Sequence, residues 1–128
     1  MNSFDKNQLA EIKNKISALE HNLLDFIKED YLTKQYNIKP GYSEKHIQKC
    51  INILNTCLAN VQKSKSTKSV RRAINVSVLK LNLLHTVTKF MMIETMERED
   101  IAEILNLIGY YKGAIEKDFD QTEKFRLW

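Results

Sequence analysis

From Leu9 onward the apolar residues Leu9, Ile12, Ile16, Leu19, Leu23 and Phe26/Ile27 recur at intervals of three and four, with Lys, Asn and Glu between them. That period places one apolar stripe on an α-helix, which the pattern predicts from about Asp5 or Asn7 to near Leu32. The stretch TKQYNIKPGYS breaks the pattern, with Ile38 and Lys39 expected to be extended ahead of Pro40 and a turn at Pro40-Gly41. Ser43 then reads as an N-cap with Glu44 in the first turn. Ile47, Cys50/Ile51, Leu54, Cys57/Leu58 and Val61 follow on one face of a second helix that ends near Gln62.

The run KSKSTKSVRR, residues 63–72, reads as a loop leading into the N-terminus of a third helix. The face of that helix is Val70, Ala73/Ile74, Ser77/Val78, Leu81, Leu84/His85 and Thr88. Val76, Thr86, Val87 and Thr88 weaken the intrinsic helix preference, so a strand over residues 86–92 is the alternative. Thr95 is expected to cap a fourth helix, whose stripe is Ile101, Ile104/Leu105, Ile108 and Tyr111. Gly109 inside that stripe would let another backbone approach closely, and the helix could continue past Gly113 through Ile115 to Phe119. Phe125, Leu127 and Trp128 are spaced either to pack back or to grip a partner. Four amphipathic helices joined by short loops predict an all-α antiparallel bundle, with residues 1–128 as one domain.

Composition agrees with helices: three glycines and one proline are too few for the turns of an all-β fold. A chain of 128 residues can bury a core without metal or disulfide staples. Cys50 and Cys57 lie two helical turns apart, beyond disulfide reach, and have no Cys or His at zinc-ligand spacing, so buried reduced thiols are expected. The N-terminal stretch MNSFDKNQLAEIKNK has no secretory signal pattern, and no apolar run approaches a membrane span; both point to a cytoplasmic protein.

Charge is unevenly distributed. Residues 1–93 hold 15 Lys/Arg and 7 Asp/Glu, whereas residues 94–128 hold 5 and 9. The stretch MIETMERED, residues 92–100, concentrates four carboxylates and one arginine in a chain of net charge +4. The helix dipole accounts for Glu97, Glu99 and Asp100 in the first turns of the fourth helix. Glu103 lies on the same side as Glu99 and Asp100, where the three would repel unless a cation faces them. Glu97, Asp100 and Glu103, three apart, are therefore the candidate contacts for a basic protein partner, on a side expected to remain in water. Lys63, Lys65, Lys68, Arg71 and Arg72 are the candidate contacts for a phosphate or other anion. No aromatic residue is interleaved with them and no helix-turn-helix spacing is evident, so a nucleic-acid partner ranks behind a protein.

No chemistry of catalysis is legible. His21, His46 and His85 each stand alone, and there is no Glu-x-x-His pattern, P-loop, dinucleotide glycine fingerprint or nucleophile turn. No catalytic residue, metal or cofactor is expected.

Within residues 78–105, VLKLNLLHTVTKFMMIETMEREDIAEIL, Leu81, Asn82 and Leu84 followed by Ile93, Glu94, Thr95, Glu97, Arg98 and Glu99 form a pattern of "LN-L" and "IET-x-ERE". It resembles a segment of small bacterial proteins of the immunity type, which accompany polymorphic or secreted toxins. His85-Thr86 stands here in place of the Asn-containing pair of that pattern. The resemblance implies a cytoplasmic helical protein that binds a toxin and blocks it, without chemistry of its own. Glu94, Thr95, Arg98 and Glu99 would then either touch the toxin or lock the third and fourth helices together through a cap and ion pairs.

Overall fold

A computed structural model of the chain describes residues 2–29 and 41–128. Four helices make up the regular structure among these residues: α1 (Lys6–Glu29), α2 (Glu44–Lys63), α3 (Thr67–Val87) and α4 (Thr95–Tyr111). The end of the first helix near Leu32 and the turn at Pro40 lie outside the described residues. Helices α2 and α3 pack against each other, α1 packs against α2 and α4, and α4 also touches α2 and α3. The predicted stripes supply one common core, in which Ile12, Leu19, Leu23, Ile47, Leu54, Ile74, Leu81, Ile101, Leu105 and Ile108 are all buried. Tyr111 meets Glu11 while Glu103 meets Lys15, so α1 and α4 run antiparallel.

Local chemistry explains most helix ends. Asp5 Oδ1 accepts the Gln8 N–H at 2.7 Å and Gln8 Oε1 accepts the Asp5 N–H at 3.0 Å, a reciprocal box that starts α1. Ser43 caps α2 as expected; His46 Nδ1 accepts the Ser43 N–H at 3.0 Å, taking the place a glutamate usually fills. Ser66 caps α3, its hydroxyl accepting the Ser69 N–H at 3.1 Å.

Two expectations about α4 are corrected. Its N-cap is Glu94, in extended geometry, and Thr95 is the first helical residue; the Glu94 carbonyl accepts the Arg98 N–H at 2.8 Å. Burial of Met92 and Ile93 fixes where the chain enters the helix and overrides the better capping residue beside it. Nor does α4 run on to Phe119. Gly113, at φ 75°, closes a Schellman motif in which the Gly113 N–H reaches Tyr110 O and the Ala114 N–H reaches Gly109 O, each at 2.9 Å. Gly109 is needed for side chains rather than a backbone: a Cβ there would lie 2.2 Å from Ile115 Cδ1 and 2.9 Å from Ile74 Cδ1.

The alternative of a strand over residues 86–92 is likewise overturned. Thr86 and Thr88 satisfy their hydroxyls on the carbonyls of Asn82 and Leu84, at 2.9 and 3.0 Å, so these β-branched residues complete the helix end without leaving a polar group bare. A second Schellman motif follows, with the Lys89 N–H on Thr86 O and the Phe90 N–H on His85 O. Its turn residues, Lys89 at φ 54° and Phe90 at φ 62°, are not glycines.

Beyond α4 the chain runs back along one flank of α3. Arg71 Nη1 donates to Ala114 O at 3.2 Å and Gln121 Nε2 to Asn75 Oδ1 at 3.0 Å. Asn82 makes two further bonds, giving Nδ2–H to Phe125 O at 2.7 Å and accepting the Leu127 N–H at 2.9 Å. Asp120 accepts from Asn106 and Thr122 and pairs with Arg126, which draws the segment into a knot. Burial opposes its charge, but these hydrogen bonds and the guanidinium together hold the carboxyl below its usual range. Trp128 packs back into the core, whereas Leu127 stays 68% exposed.

Two substitutions test this account. Asn82→Ala should lower stability by about 1–3 kcal/mol, because it leaves a carbonyl and an N–H of the segment without partners. Urea denaturation reads the loss, with faster amide exchange at Leu127 as its local signature. Lys89→Gly should raise stability by about 0.5–1 kcal/mol, since glycine adopts the left-handed turn without Cβ strain; an unchanged or lower urea midpoint would show that the turn is not strained.

Candidate functional site

The acidic side of α4 is not the open surface the spacing predicts. Glu97 and Asp100 are half-buried and Glu103 is exposed. Lys15 of α1 reaches across, its Nζ 2.8 Å from Glu103 Oε1, and supplies the cation the three carboxylates call for. Asp100 sits in the recess beneath, where burial first, then Glu103 and Glu99, push its carboxyl up against the opposing pull of Lys15. Hydrogen bonding to Glu103 in turn raises the Lys15 ammonium, against the effect of its partial burial. Glu103 thus joins α4 to α1 through Lys15.

Among the described residues Glu94, Arg98 and Glu99 form no ion pair, so the expected lock between the third and fourth helices is absent there. Four of the other residues that carry the immunity resemblance have structural tasks. Leu81, Leu84 and Ile93 belong to the core, and Asn82 holds the segment after α4.

Glu103 belongs to a second feature as well. A groove of about 560 Å³ opens between α4 and residues 116–120, lined by the carboxylates of Glu103, Glu116, Asp118 and Asp120 and by Tyr110, Tyr111 and Phe119. Lys117 is the one cation on its wall. Tyr110 and Phe119 present exposed rings, and the Tyr111 hydroxyl donates to Glu11, which pushes that phenol up to about 12. Carboxylates beside aromatic faces suit a lysine or arginine side chain, which gains from both. Sequence reasoning reached Glu103 alone; the acidic Glu116-Lys117-Asp118-Phe119-Asp120 run was a visible signal, but its partnership with Tyr110 needs the turn at Gly113.

The basic run is split. Lys63, Lys65, Lys68, Arg71 and Arg72 are all exposed, yet only Lys68, Arg71 and Arg72 share a groove, with Val76 and Leu79 beside them. The Arg71 guanidinium is partly engaged by Ala114 O. From residue 45 to residue 93 the chain has nine Lys/Arg and no Asp/Glu, so α2 beyond its first turn, and the whole of α3, carry only positive charge.

The remaining candidates are inert. Burial pushes the Cys50 thiol up to about 12 and Cys57 to about 11, which keeps both protonated and unreactive. His46 is occupied in capping and His21 is exposed. His85 is buried against the Phe90 ring, 5.1 Å between centroids, with Nδ1 unpaired. Among the described residues no group of three His, Cys, Asp or Glu side chains could hold a metal ion, and no helix is long and apolar enough to cross a membrane. The chain matches no model of a protein family, no curated protein and no solved structure.

Burial pulls the His85 imidazole below its ordinary value of 6.5. The unfolded chain therefore binds a proton there more readily than the folded one, and stability should fall as the pH drops through that range. The urea midpoint of the wild type is expected to decrease between about pH 7 and pH 5, with a shallower decrease in His85→Gln. Identical slopes in the two proteins would assign the pH dependence elsewhere.

Proposed function

We propose that the chain is a non-enzymatic binding protein of the immunity type, which captures and neutralises a toxin or effector domain from the same cell. The observation that carries the binding role is the groove lined by Glu103, Glu116, Asp118, Tyr110 and Phe119, in which Glu103 and Asp120 already pair with Lys15 and Arg126 while Glu116 and Asp118 make no ion pair among the described residues. Its chemistry fits a basic segment of a partner protein, with the aromatic rings as anchors and the carboxylates as steering charges. Glu97 and Asp100 lie on the approach to it along α4 and extend the negative field. The toxin-directed part of the reading comes from the resemblance in residues 78–105.

A nucleic-acid role is the second reading, favoured by the acid-free span of residues 45–93 and the shared groove of Lys68, Arg71 and Arg72. Backbone binding of that kind weakens steeply between low and physiological salt. The apolar side chains of Val76 and Leu79 within the groove speak for a protein instead.

The first test is whether a large reading frame with a variable C-terminal domain adjoins the gene, and the decisive experiment is co-expression with that domain. Growth should be rescued by the wild type, and purified partner should bind with nanomolar affinity or better. Tyr110→Ala with Phe119→Ala should weaken binding by about tenfold or more through faster dissociation. Reversal of Glu97, Asp100 and Glu103 to lysine should mainly slow association at low salt. Failure of the wild type to rescue growth or to bind that domain would refute the immunity reading.

A further inference from the structure

Helix α3 carries a second apolar stripe opposite its core face. Val76, Leu79, Leu83 and Val87, spaced three and four apart, all point outward, Leu83 being 66% exposed; Phe90 and Met91, past the helix end, are exposed as well. Helix α2 covers one flank of α3 and the segment after α4 covers the other, so no described element is left to cover this face. Contiguous exposed apolar surface on a globular domain marks an interaction site.

Two concave grooves of about 320 Å³ each border the stripe. One, on the α2 side, is formed with Lys49, Ile53 and Lys80; the other holds Lys68, Arg71 and Arg72. No carboxylate lines either groove. An apolar ridge with Lys49 and Lys80 along its α2 side and Lys68 and Arg72 at its N-terminal end, four residues apart on the row that leads to Val76, is complementary to one arrangement above others: an apolar stripe bordered by carboxylates.

We propose that the outer face of α3 is a docking site for an acidic amphipathic helix of a partner protein. The leucine-type side chains of that helix would lie along Val76, Leu79, Leu83 and Val87, and its carboxylates would meet Lys49 and Lys80 along the α2 side and Lys68 and Arg72 at the N-terminal end of α3. The stripe from Val76 to Val87 is about 16 Å long at 1.5 Å per residue, the length of three helical turns. Ridges at three- and four-residue spacing accept the ridges of another helix. Strand addition has no sheet edge to use among the described residues. A second copy of the chain would bring the same cations face to face. A nucleic acid would meet aliphatic side chains where its phosphates need donors, and a flat anionic membrane would leave both grooves unfilled. This face lies apart from the acidic groove of α4, so the inference stands or falls independently of the immunity reading.

The probe is a synthetic helical peptide of about 18 residues, with leucines on one face, glutamates flanking them and a fluorescent label. The full chain should bind it saturably, with one peptide per molecule and weaker binding at high salt. Leu79→Glu and Leu83→Glu, both at exposed positions, should each weaken binding by about tenfold or more while leaving the circular dichroism spectrum unchanged. Tyr110→Ala and Phe119→Ala should leave it unaffected.

A peptide of the same composition with its leucines scattered, and one with lysine in place of glutamate, should not bind. No saturable binding of the acidic helix, equal binding of the scattered peptide, or indifference to Leu83→Glu would overturn the proposal. So would either of two other results that Leu83→Glu abolishes: association with phosphatidylserine vesicles in place of the peptide, which assigns the face to lipid, or dimerisation in sedimentation, which assigns it to a second copy.

Discussion

Helix α3 is apolar on two opposite sides, and a bundle of this size buries only one of them. Val70, Ile74, Val78 and Leu81 face inward and are fully excluded from water, while Val76, Leu79, Leu83 and Val87 are left outside. Burying an aliphatic side chain of this size is worth about 1.5–3 kcal/mol relative to leaving it exposed. The fold forgoes roughly half of that gain at each of the four positions along the stripe, which are 43–66% exposed. It also spends other interactions on holding α3 in this orientation. Asn82, Asn75 and Arg71 bind the segment after α4 along one flank, and α2 closes the other, so the helix cannot roll to hide its outer stripe without breaking those hydrogen bonds.

Charge follows the same division. The acid-free span of residues 45–93 supplies the cations along the α2 side of the stripe and at its N-terminal end, whereas α4 and the residues after it carry nine carboxylates against five cations from Glu94 onward. At the seam between α1 and α4, Lys15 relieves the crowding of Asp100 and Glu103. That pair is largely solvent-exposed, so its contribution to stability is small; its effect is to keep the acidic side of α4 compatible with folding. What remains of the negative field lies around Tyr110 and Phe119, where the rings lend it a contact surface. A molecule whose cations and carboxylates are concentrated on different elements orients approaching partners by sign before any contact forms.

The inward faces of all four helices were legible because burial imposes a period of three and four on the sequence itself, from Ile12 to Leu19 as from Ile101 to Ile108. Ends were legible only where they are settled locally. Ser43 caps α2 through its neighbour His46, but Thr95 yields to Glu94 because the burial of Met92 and Ile93, a tertiary matter, decides where α4 begins. Gly113 carried a stop signal of its own, yet the apolar Ala114 and Ile115 beyond it imitated a continuing stripe. The candidate site was legible as a row of carboxylates and no further, since Lys15 stands 88 residues from Glu103 in the chain and Phe119 comes to line the same groove as Tyr110 only after the turn at Gly113. The outer stripe of α3 has the same spacing as a core face. A single period cannot say which of two opposed stripes meets the bundle.

The turn that ends α3 extends this asymmetry. Two successive non-glycine residues, Lys89 and Phe90, take left-handed conformations, each of which costs about 1–2 kcal/mol against an ordinary backbone. A sequence selected for stability alone would place glycine at the first of them, as α4 does at Gly113. The path the turn imposes leaves Phe90 and Met91 exposed, the Phe90 ring against His85, and returns Met92 and Ile93 to the core in the next two residues. Gly41 accommodates it from the other side, because a Cβ there would fall 2.6 Å from the Met91 side chain. Departures from local preference that coincide with exposed apolar side chains are expected where a surface is kept for contact, and here both occur at the end of one helix.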